Sequence, residues 1–407
     1  MKTIALVGAL DTKGAEYAFV RACIAARGHR TFVIDTGVLG SPAFTPDIAN
    51  TAVAIAGGAD LAALIAQADR GLAVEAMSRG LAALLPALHA EGKFDGVIAL
   101  GGTGGTSVAC RALRALPLGA PKVMVSTVAG GDVSAYVGVS DIIMIPSIVD
   151  VAGLNRISRG VLARAAGVIV GLVETVVPAA APGGEKPLIA ASMFGNTTPA
   201  VEVARAILEK SGYEVLVFHC TGNGGRTMES LIAGGHIAGV LDLTTTELAD
   251  EWVGGVFSAG PDRLTAAARA GVPAIVTPGC LDMVNFGAPA TVPAAFAGRR
   301  FYQHNANVTL LRTDVEENAK LGAELAAKVN ASRGPVTVLL PLRGVSVIGA
   351  PGGAFHWPEA DAALFAAIRR DLRPDIPLVE LDCAINAPEF AQRCAAALLA
   401  HLAPPLR

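Results

Sequence analysis

The sequence has few charged and few aromatic residues, and it lacks any long apolar run. Only 16% of its 407 residues are charged and 5% are aromatic, while 52% are hydrophobic. No stretch of 18 or more apolar residues is free of Gly, Pro and charge, so no membrane span is predicted. The net charge of −3 and the lack of a basic run argue against nucleic acid as the main partner.

Several motifs that would assign a function directly are also missing. The six cysteines include no CxxC pair, so neither a zinc site nor a disulfide framework is predicted. The chain has no GxxxxGK[ST] loop and no GxGxxG fingerprint. After Met1 the first apolar segment stops at Asp11 and Lys13, too early for a signal peptide, so we expect a cytoplasmic protein.

What is present is an alternation of strand and helix patterns that occurs twice. The pattern predicts an N-terminal nucleotide-binding domain over residues 1–178, a Pro/Gly-rich linker over 179–187, and a C-terminal substrate domain over 188–407. Phe94–Gly101 matches Ile237–Thr244 in spacing and apolar content. The predicted fold class is therefore α/β, with two consecutive Rossmann-like domains and mainly parallel sheets. Convergence of two ordinary α/β sheets is the alternative.

The turn after the first predicted strand is the first candidate site. Asp11, Thr12, Lys13 and Gly14 lie between the apolar run at 4–7 and a helix expected from Glu16. Free N–H groups and the helix dipole favour an anion such as phosphate there, and Lys13 adds positive charge. The alternative is that Asp11 or Thr12 only caps the helix.

A glycine-rich loop after a later buried strand is the clearest candidate phosphate cradle. Glycines let backbone amides approach an anion closely, and threonine hydroxyls add donors. A glycine-rich connector without a ligand is the alternative. Asp35, at the end of the second strand, occupies the place of a ribose-binding acid, although an Asp before Thr-Gly often shapes a turn. The loop residues proposed for the cofactor are Gly101, Gly102, Thr103, Gly104, Gly105 and Thr106, with Thr127 after the next strand.

The polar residues of the second half also follow predicted strands, where ligands of parallel sheets bind. His219, Glu247 and Asp282 are candidate acid–base groups, and each has a structural alternative. None stands at a tight metal-ligand spacing, so no metal ligands are assigned. The candidate substrate-binding residues are Asn196, Thr197, Thr198, Asn223, Gly224 and Arg343. Arg343 could bind a carboxylate or form only a surface ion pair.

Five ordered segments together carry a family resemblance. They are Gly8–Phe19, Gly101–Gly105, Asp150–Arg159, Ala191–Thr198 and Pro278–Phe286. Over nearly its whole length the chain resembles the bacterial, fungal and plant family typified by the ATP-binding domain of the tomato mosaic virus replication inhibitor. The resemblance implies two Rossmann-like domains and ATP with Mg²⁺. The residues that it assigns to this ATP site are Asp11, Thr12, Lys13, Gly101, Gly102, Thr103, Gly104 and Thr127.

Three functional hypotheses follow. The first is a metabolic enzyme that uses ATP and Mg²⁺ on a small organic acid or acyl substrate, with Lys13 stabilising phosphate charge in the reaction. The second is a nucleotide-responsive binding or regulatory protein without turnover, and the third is a nicotinamide-dependent oxidoreductase. A homodimer is expected from the apolar composition. Longer relatives of the family resemble fusions to a barrel-type hydrolase, so such an activity is expected from a separate protein.

Overall fold

The computed structural model describes residues 1–176 and 184–403. The chain divides into two compact units, Met1–Ala179 and Ala180–Arg407, called here the N-terminal and C-terminal domains. Residues 179–183 of the predicted linker lie outside the described residues. Each domain is an α/β unit built around its own parallel sheet, which confirms the predicted fold class.

The N-terminal domain has five described strands and seven described helices. The strands are β1 Thr3–Gly8, β2 Arg30–Asp35, β3 Gly96–Gly101, β4 Lys122–Ser126 and β5 Ile143–Pro146. The helices are α1 Leu10–Ala25, α2 Asn50–Ala56, α3 Leu61–Gln67, α4 Arg70–Ala90, α5 Thr103–Ala115, α6 Ser134–Val137 and α7 Arg156–Glu174.

The five strands are all parallel, in the order β2-β1-β3-β4-β5. Helices α1 and α7 bury apolar side chains against one face of this sheet, and α2, α4 and α5 pack on the other. The order in which strands are added to the sheet reverses between β1 and β3. The chain continues from β1 to β2 on one side, and from β3 to β4 on the other. A doubly wound sheet binds its ligands at such a switch point, at the carboxyl ends of the strands.

Two local predictions in this domain were wrong. Helix α1 begins at Leu10 rather than near Glu16, and Lys13 interrupts it with φ −128° and ψ 22°. The Ala/Leu-rich sequence of residues 51–92 predicts one or two helices, but this segment forms three, because Asp60 and Asp69 each accept a backbone N–H bond and start a new helix.

Helix α4 is, among the described helices, the one long and apolar enough to cross a membrane by length and composition. It packs against α2 and α5 and buries Met77, Leu81 and Leu85 in the domain core. Core helices of soluble proteins have the same composition, so this helix is weak evidence for a membrane.

The C-terminal domain contains nine described strands and seven described α-helices. The strands are β6 Leu188–Met193, β7 Glu214–His219, β8 Gly239–Thr244, β9 Ala274–Gly279, β10 Met283–Phe286, β11 Phe301–Asn305, β12 Val308–Arg312, β13 Val336–Pro341 and β14 Leu378–Leu381. The helices are α8 Thr198–Lys210, α9 Asn223–Ala233, α10 Glu247–Val253, α11 Ala266–Ala270, α12 Val315–Asn330, α13 Pro358–Asp371 and α14 Pro388–Leu402.

Its main sheet repeats the topology of the first. The order is β7-β6-β8-β9-β13-β14, which is the N-terminal order with one strand added at the far edge. A separate antiparallel sheet, β10-β12-β11, was not predicted. The shared order is what an internal repeat would produce, and it places a second switch point between β6 and β8.

Candidate functional site

The N-terminal domain has a cavity of about 1130 Å³ at the carboxyl edge of its sheet. The segments after all five strands contribute to it, from Asp11 after β1 to Asp150 after β5. The opening lies where β1 and β3 diverge, because their pairing ends at Val7 and Ala99. This is the position at which doubly wound sheets bind ligands.

Tyr17 holds the two strands together just below the opening. Its hydroxyl lies 2.5 Å from the Val7 carbonyl and accepts a hydrogen bond from the Leu100 N–H at 2.8 Å. A Cβ at Gly8 would lie 1.8 Å from this hydroxyl, so the contact requires glycine there. The buried hydroxyl therefore bridges β1 and β3 where their pairing ends.

The start of α5 presents free backbone N–H groups to the cavity. Its N-cap, Gly102, offers no side chain to cap the helix, and Thr103, Gly104 and Gly105 line the cavity. The N–H groups of the first helical turn have no intrahelical acceptor. A Cβ at Gly105 would make only an ordinary contact, 3.6 Å from the Leu100 carbonyl, so no side chain is packed against this turn there. This turn can bind an anion.

Two cationic side chains line the same cavity. The Lys13 ammonium group donates a hydrogen bond to the Val151 carbonyl at 2.6 Å, which leaves two further protons for a ligand. Arg70, the first residue of α4, lies 3.4 Å from where a Cβ on Gly104 would stand, and it pairs with no carboxylate of the described chain. Arg70 therefore lies beside the free amides, and Lys13 adds a second positive charge to the same cavity.

Carboxylates are also present at this edge. One oxygen of Asp11 accepts N–H bonds from Leu39 and Gly40, at 2.7 and 3.2 Å, whereas its Oδ1 is buried without a partner. Asp150 lines the cavity as well. Within the described residues, no group of three or more His, Cys, Asp or Glu side chains is placed to hold a metal ion. Asp11 is thus the best-placed single oxygen donor for a cation or a hydroxyl.

Asp35 does not face the cavity, although it was a candidate ribose ligand. It is fully buried and accepts hydrogen bonds from the Leu10 and Gly37 N–H groups, at 3.0 and 2.9 Å. Burial raises the pKa of this carboxyl group, and the two N–H donors oppose that shift. Its observed role is to fix the start of α1 and the loop after β2, the turn-shaping alternative.

The other sequence candidates divide into two groups. Those that line the cavity are Asp11, Thr12, Lys13, Gly102, Thr103, Gly104, Gly105 and Thr127. Gly14, Gly101 and Thr106 lie behind it: a Cβ on Gly14 would meet Ala43 at 2.2 Å, and Thr106 hydrogen-bonds Ser126 at 2.6 Å. These three residues shape the turns rather than face a ligand.

Sequence reasoning missed Arg70 and the apolar side of the cavity. The sequence signal for Arg70 was its position directly after Asp69, a residue type that caps helices, which places a cation at the start of a helix. Two non-glycine residues of the lining, Ala68 and Ile148, have positive φ angles of 52° and 67°. Such backbone strain is concentrated at functional sites.

The matching edge of the C-terminal domain is filled by its own side chains. Arg263 is fully buried and donates two hydrogen bonds of 2.6 Å to Asp242, one of 2.7 Å to Glu247 and one of 3.2 Å to Glu229. Its neighbours raise the pKa of Arg263, so it stays charged despite the opposing effect of burial. We call these four residues the Arg263 cluster.

Glu247 binds the backbone N–H groups at the start of α9, the position where a ligand would bind. Its Oε1 accepts the N–H groups of Gly222 and Gly225 at 2.8 and 3.0 Å. A Cβ on Gly225 would lie 2.1 Å from this carboxylate. With its other oxygen on Arg263, fully buried Glu247 is inaccessible to a substrate, so its predicted catalytic role is not supported.

Asp282 and His219 are the other two catalytic candidates of this domain, and within the described residues neither contacts Glu247. Asp282 is fully buried and accepts the Ser346 hydroxyl at 2.6 Å, while its Oδ1 has no partner. Burial raises the pKa of Asp282 to about 6, with Arg312 opposing the shift. His219 is exposed, and its ring lies 5.4 Å from that of Phe194.

The candidate substrate residues of this domain have structural partners. Asn196 and Thr197 are buried, and Thr197 hydrogen-bonds Thr244 at 2.7 Å. The Thr198 hydroxyl donates to the Phe194 carbonyl. Asn223 accepts a hydrogen bond from Arg226 at 2.9 Å, and Arg343 forms a bidentate surface pair with Asp382. A Cβ on Gly224 would lie 1.9 Å from the His219 carbonyl.

The fold and cavity define a two-domain α/β protein with an open Rossmann-type edge in its first domain and a filled one in its second. The chain matches the N-terminal domain of Uncharacterised protein family (UPF0261) over residues 2–178 and its C-terminal domain over 186–402. The chain belongs to this family, which confirms the predicted resemblance.

Similar proteins span bacteria and a plant. UPF0261 proteins of Clostridium tetani and Rhizobium meliloti are 49% and 47% identical, covering 96% and 98% of both chains. The ToMV resistance protein Tm-1(GCR237) of Solanum lycopersicum is 46% identical over 72% of this chain and 40% of its own length. A solved UDP-N-acetylglucosamine 2-epimerase of Rickettsia bellii is 12% identical, covering 68% of this chain and 78% of its own, with a TM-score of 0.24 that supports no further argument.

Proposed function

We propose that the N-terminal domain binds ATP with Mg²⁺ and that the protein is an enzyme acting on a small organic acid or acyl substrate. The observation that carries the proposal is the free first turn of α5, which faces a cavity of about 1130 Å³ beside Lys13 and Arg70. Free amides and two cations complement a polyphosphate.

The residues present fit both groups. Gly102 and Gly105 have no side chain in front of the amides, and a Cβ on either would make only ordinary contacts, at 3.7 and 3.6 Å. Thr103 and Thr127 add hydroxyl donors at the same edge. The unpartnered Oδ1 of Asp11 is a hard oxygen, the donor type that Mg²⁺ prefers together with phosphate oxygens. When bound, Mg²⁺ would neutralise phosphate charge.

Calorimetric titration of ATP, with and without Mg²⁺, tests the binding proposal. The native chain and the Lys13→Ala and Gly102→Val variants form the set, with Lys320→Ala as an exposed control in the C-terminal domain. We expect native and control proteins to bind and the two cavity variants to bind at least tenfold more weakly, about 1.4 kcal/mol. Equal binding by all four proteins would contradict the site.

Product analysis separates the enzyme from the regulatory alternative. An enzyme releases ADP or AMP when ATP is supplied with its acid substrate, whereas a nucleotide-responsive binding protein releases neither. NAD serves as the control ligand, because binding of NAD in place of ATP would favour an oxidoreductase. The proposal also includes a cytoplasmic homodimer, and a light-scattering mass equal to one chain would contradict the dimer.

A further inference from the structure

One wall of the N-terminal cavity is aliphatic. It is formed by Leu64 and Ile65 of α3, Val74 and Met77 of α4, and Val108 of α5. Leu64, Met77 and Val108 belong to the hydrophobic cluster under the sheet, so packing fixes their positions. None of the five side chains has a strong hydrogen-bond donor or acceptor. This wall suits a group that needs no polar partner.

The wall also differs from the usual surface for a planar base. No Phe, Tyr, Trp or His side chain of the described chain lines the cavity. Aromatic rings gain from stacking on other rings, and a saturated chain does not need this contact. The volume of about 1130 Å³ lies just above the roughly 300–1,000 Å³ found for small-molecule sites. The cavity can therefore hold a second group beside a nucleotide.

Three exposed apolar side chains also line the cavity. Leu39, Ile65 and Ile148 are 80%, 52% and 73% exposed, and Leu39 and Ile148 come from the loops after the two edge strands, β2 and β5. An apolar ligand that extends past Ile65 would therefore meet further apolar surface.

A charged group lies next to the same wall. Arg70 and Val74 are four residues apart on α4, so they share one face of the helix. Both lie near Gly104, since a Cβ there would be 3.4 Å from Arg70 Nη2 and 3.7 Å from Val74 Cγ2. A ligand on the wall would thus have its anionic end at Arg70, whose five N–H donors can serve this carboxylate and a nucleotide phosphate at the same time.

We propose that the acid substrate is an aliphatic carboxylic acid of medium chain length, with its chain on the α3–α4–α5 wall and its carboxylate at Arg70. This inference rests on the proposed function, because it places the acid in the same cavity as the nucleotide. It names the substrate class, which that proposal leaves open.

The first test is a chain-length series. The native chain is saturated with Mg²⁺ and a non-hydrolysable ATP analogue and titrated with acetate, butanoate, hexanoate and octanoate. Burial of each CH₂ group contributes about 0.8 kcal/mol, so affinity should rise about fourfold per carbon. A series with no dependence on length would overturn the proposal.

Two variants locate the chain on the wall. Val74→Phe should weaken octanoate binding at least tenfold, whereas Leu72→Phe, on the same helix but outside the lining, should leave it unchanged. Ile65→Glu should weaken it by a similar factor, and Ile55→Glu, 72% exposed on α2, is its control. Circular dichroism checks that each variant folds. Unchanged octanoate binding in both folded wall variants would overturn the assignment.

Titration of ATP alone separates this inference from the proposed function. If ATP binds but octanoate does not, the substrate class is wrong and the nucleotide site stands. If octanoate competes with ATP, the wall holds part of the nucleotide and the inference fails. If octanoate binds with the expected length dependence and ATP does not, the acid site stands and the nucleotide proposal fails.

Discussion

The two parallel sheets share one strand order, and the contents of their carboxyl edges differ. In the N-terminal domain the first turn of α5 faces an open cavity with Lys13 and Arg70 beside it. In the C-terminal domain buried Arg263 and Glu247 occupy the corresponding edge. The shared topology supplies helix starts and diverging strands, and the side chains decide whether a ligand can enter.

One difference between the equivalent strands β3 and β8 shows how the C-terminal edge becomes filled. In the alignment of Phe94–Gly101 with Ile237–Thr244, Ala99 of β3 corresponds to Asp242 of β8. A buried carboxylate needs a charged partner, and Arg263 provides it with two hydrogen bonds. Glu247 then pairs with the remaining face of Arg263 and closes the start of α9.

The largest effect is expected from Arg263→Ala. This change leaves the carboxylates of Asp242 and Glu247 buried without their cation, which typically costs about 3–5 kcal/mol. Chemical denaturation should show this loss in the free energy of unfolding. Arg343→Ala is the matched control, because its pair with Asp382 is exposed and should contribute little to stability. Equal losses would show that the Arg263 cluster is not a buried network.

The second prediction concerns pH. Burial raises the pKa of Asp250 to about 7, with Glu247 adding to the shift. Between pH 4 and 7 the folded state therefore holds a proton that the unfolded state releases. This stabilisation is complete below about pH 4 and is lost as pH rises through 7, a change of about 4 kcal/mol.

Asp250→Asn should reduce the loss of folding stability between pH 4 and 7. The Asn285 side chain donates to Asp250 at 2.7 Å, and its own oxygen is buried without a partner. An amide at position 250 could donate to that oxygen after the Asn285 side chain rotates. Unfolding curves at pH 4.5 and 7.5 check the result, and a slope equal to that of the native chain would contradict the assignment to Asp250. Asp282 should leave a residual slope near pH 6.

A matched pair of glycines gives the third prediction. Gly225→Ala should destabilise by about 1–3 kcal/mol, because its Cβ would lie 2.1 Å from Glu247. Gly105→Ala should leave stability unchanged or raise it by up to about 1 kcal/mol, because it replaces a helical glycine where the nearest neighbour is 3.6 Å away. Thermal unfolding compares the two. Equal destabilisation would show that the N-terminal edge is as filled as the C-terminal one.

The smallest effect on stability is expected from Arg70→Ala. The side chain is exposed and unpaired within the described chain, so the free energy of unfolding should change by less than about 0.5 kcal/mol. ATP affinity should fall about tenfold, as for loss of one charged contact to phosphate. Arg164→Ala, an exposed arginine on α7 outside the cavity, should change neither quantity. A stability loss with unchanged ATP affinity would give Arg70 a structural role.

The apolar runs predicted the two domains and most strands, because a parallel strand that is buried on both faces needs a nearly continuous apolar sequence. The glycine-rich segment Gly101–Thr106 was predicted as a loop, whereas its residues from Thr103 onward form the first turn of α5. Arg70 was missed because its closeness to Gly104 comes from the packing of α4 on α5. Glu247 was misjudged because Arg263, its partner, lies 16 residues away and meets it only in the fold.

The number of ATP molecules bound per chain tests the comparison most directly. Calorimetry of the native chain with Mg²⁺ should give one site, and the Gly105→Ala variant should weaken that site without loss of folding. Two equivalent sites per chain would contradict the account, because the Arg263 cluster would then have to open for a ligand. Binding that is unchanged in Gly105→Ala would place the nucleotide away from the start of α5.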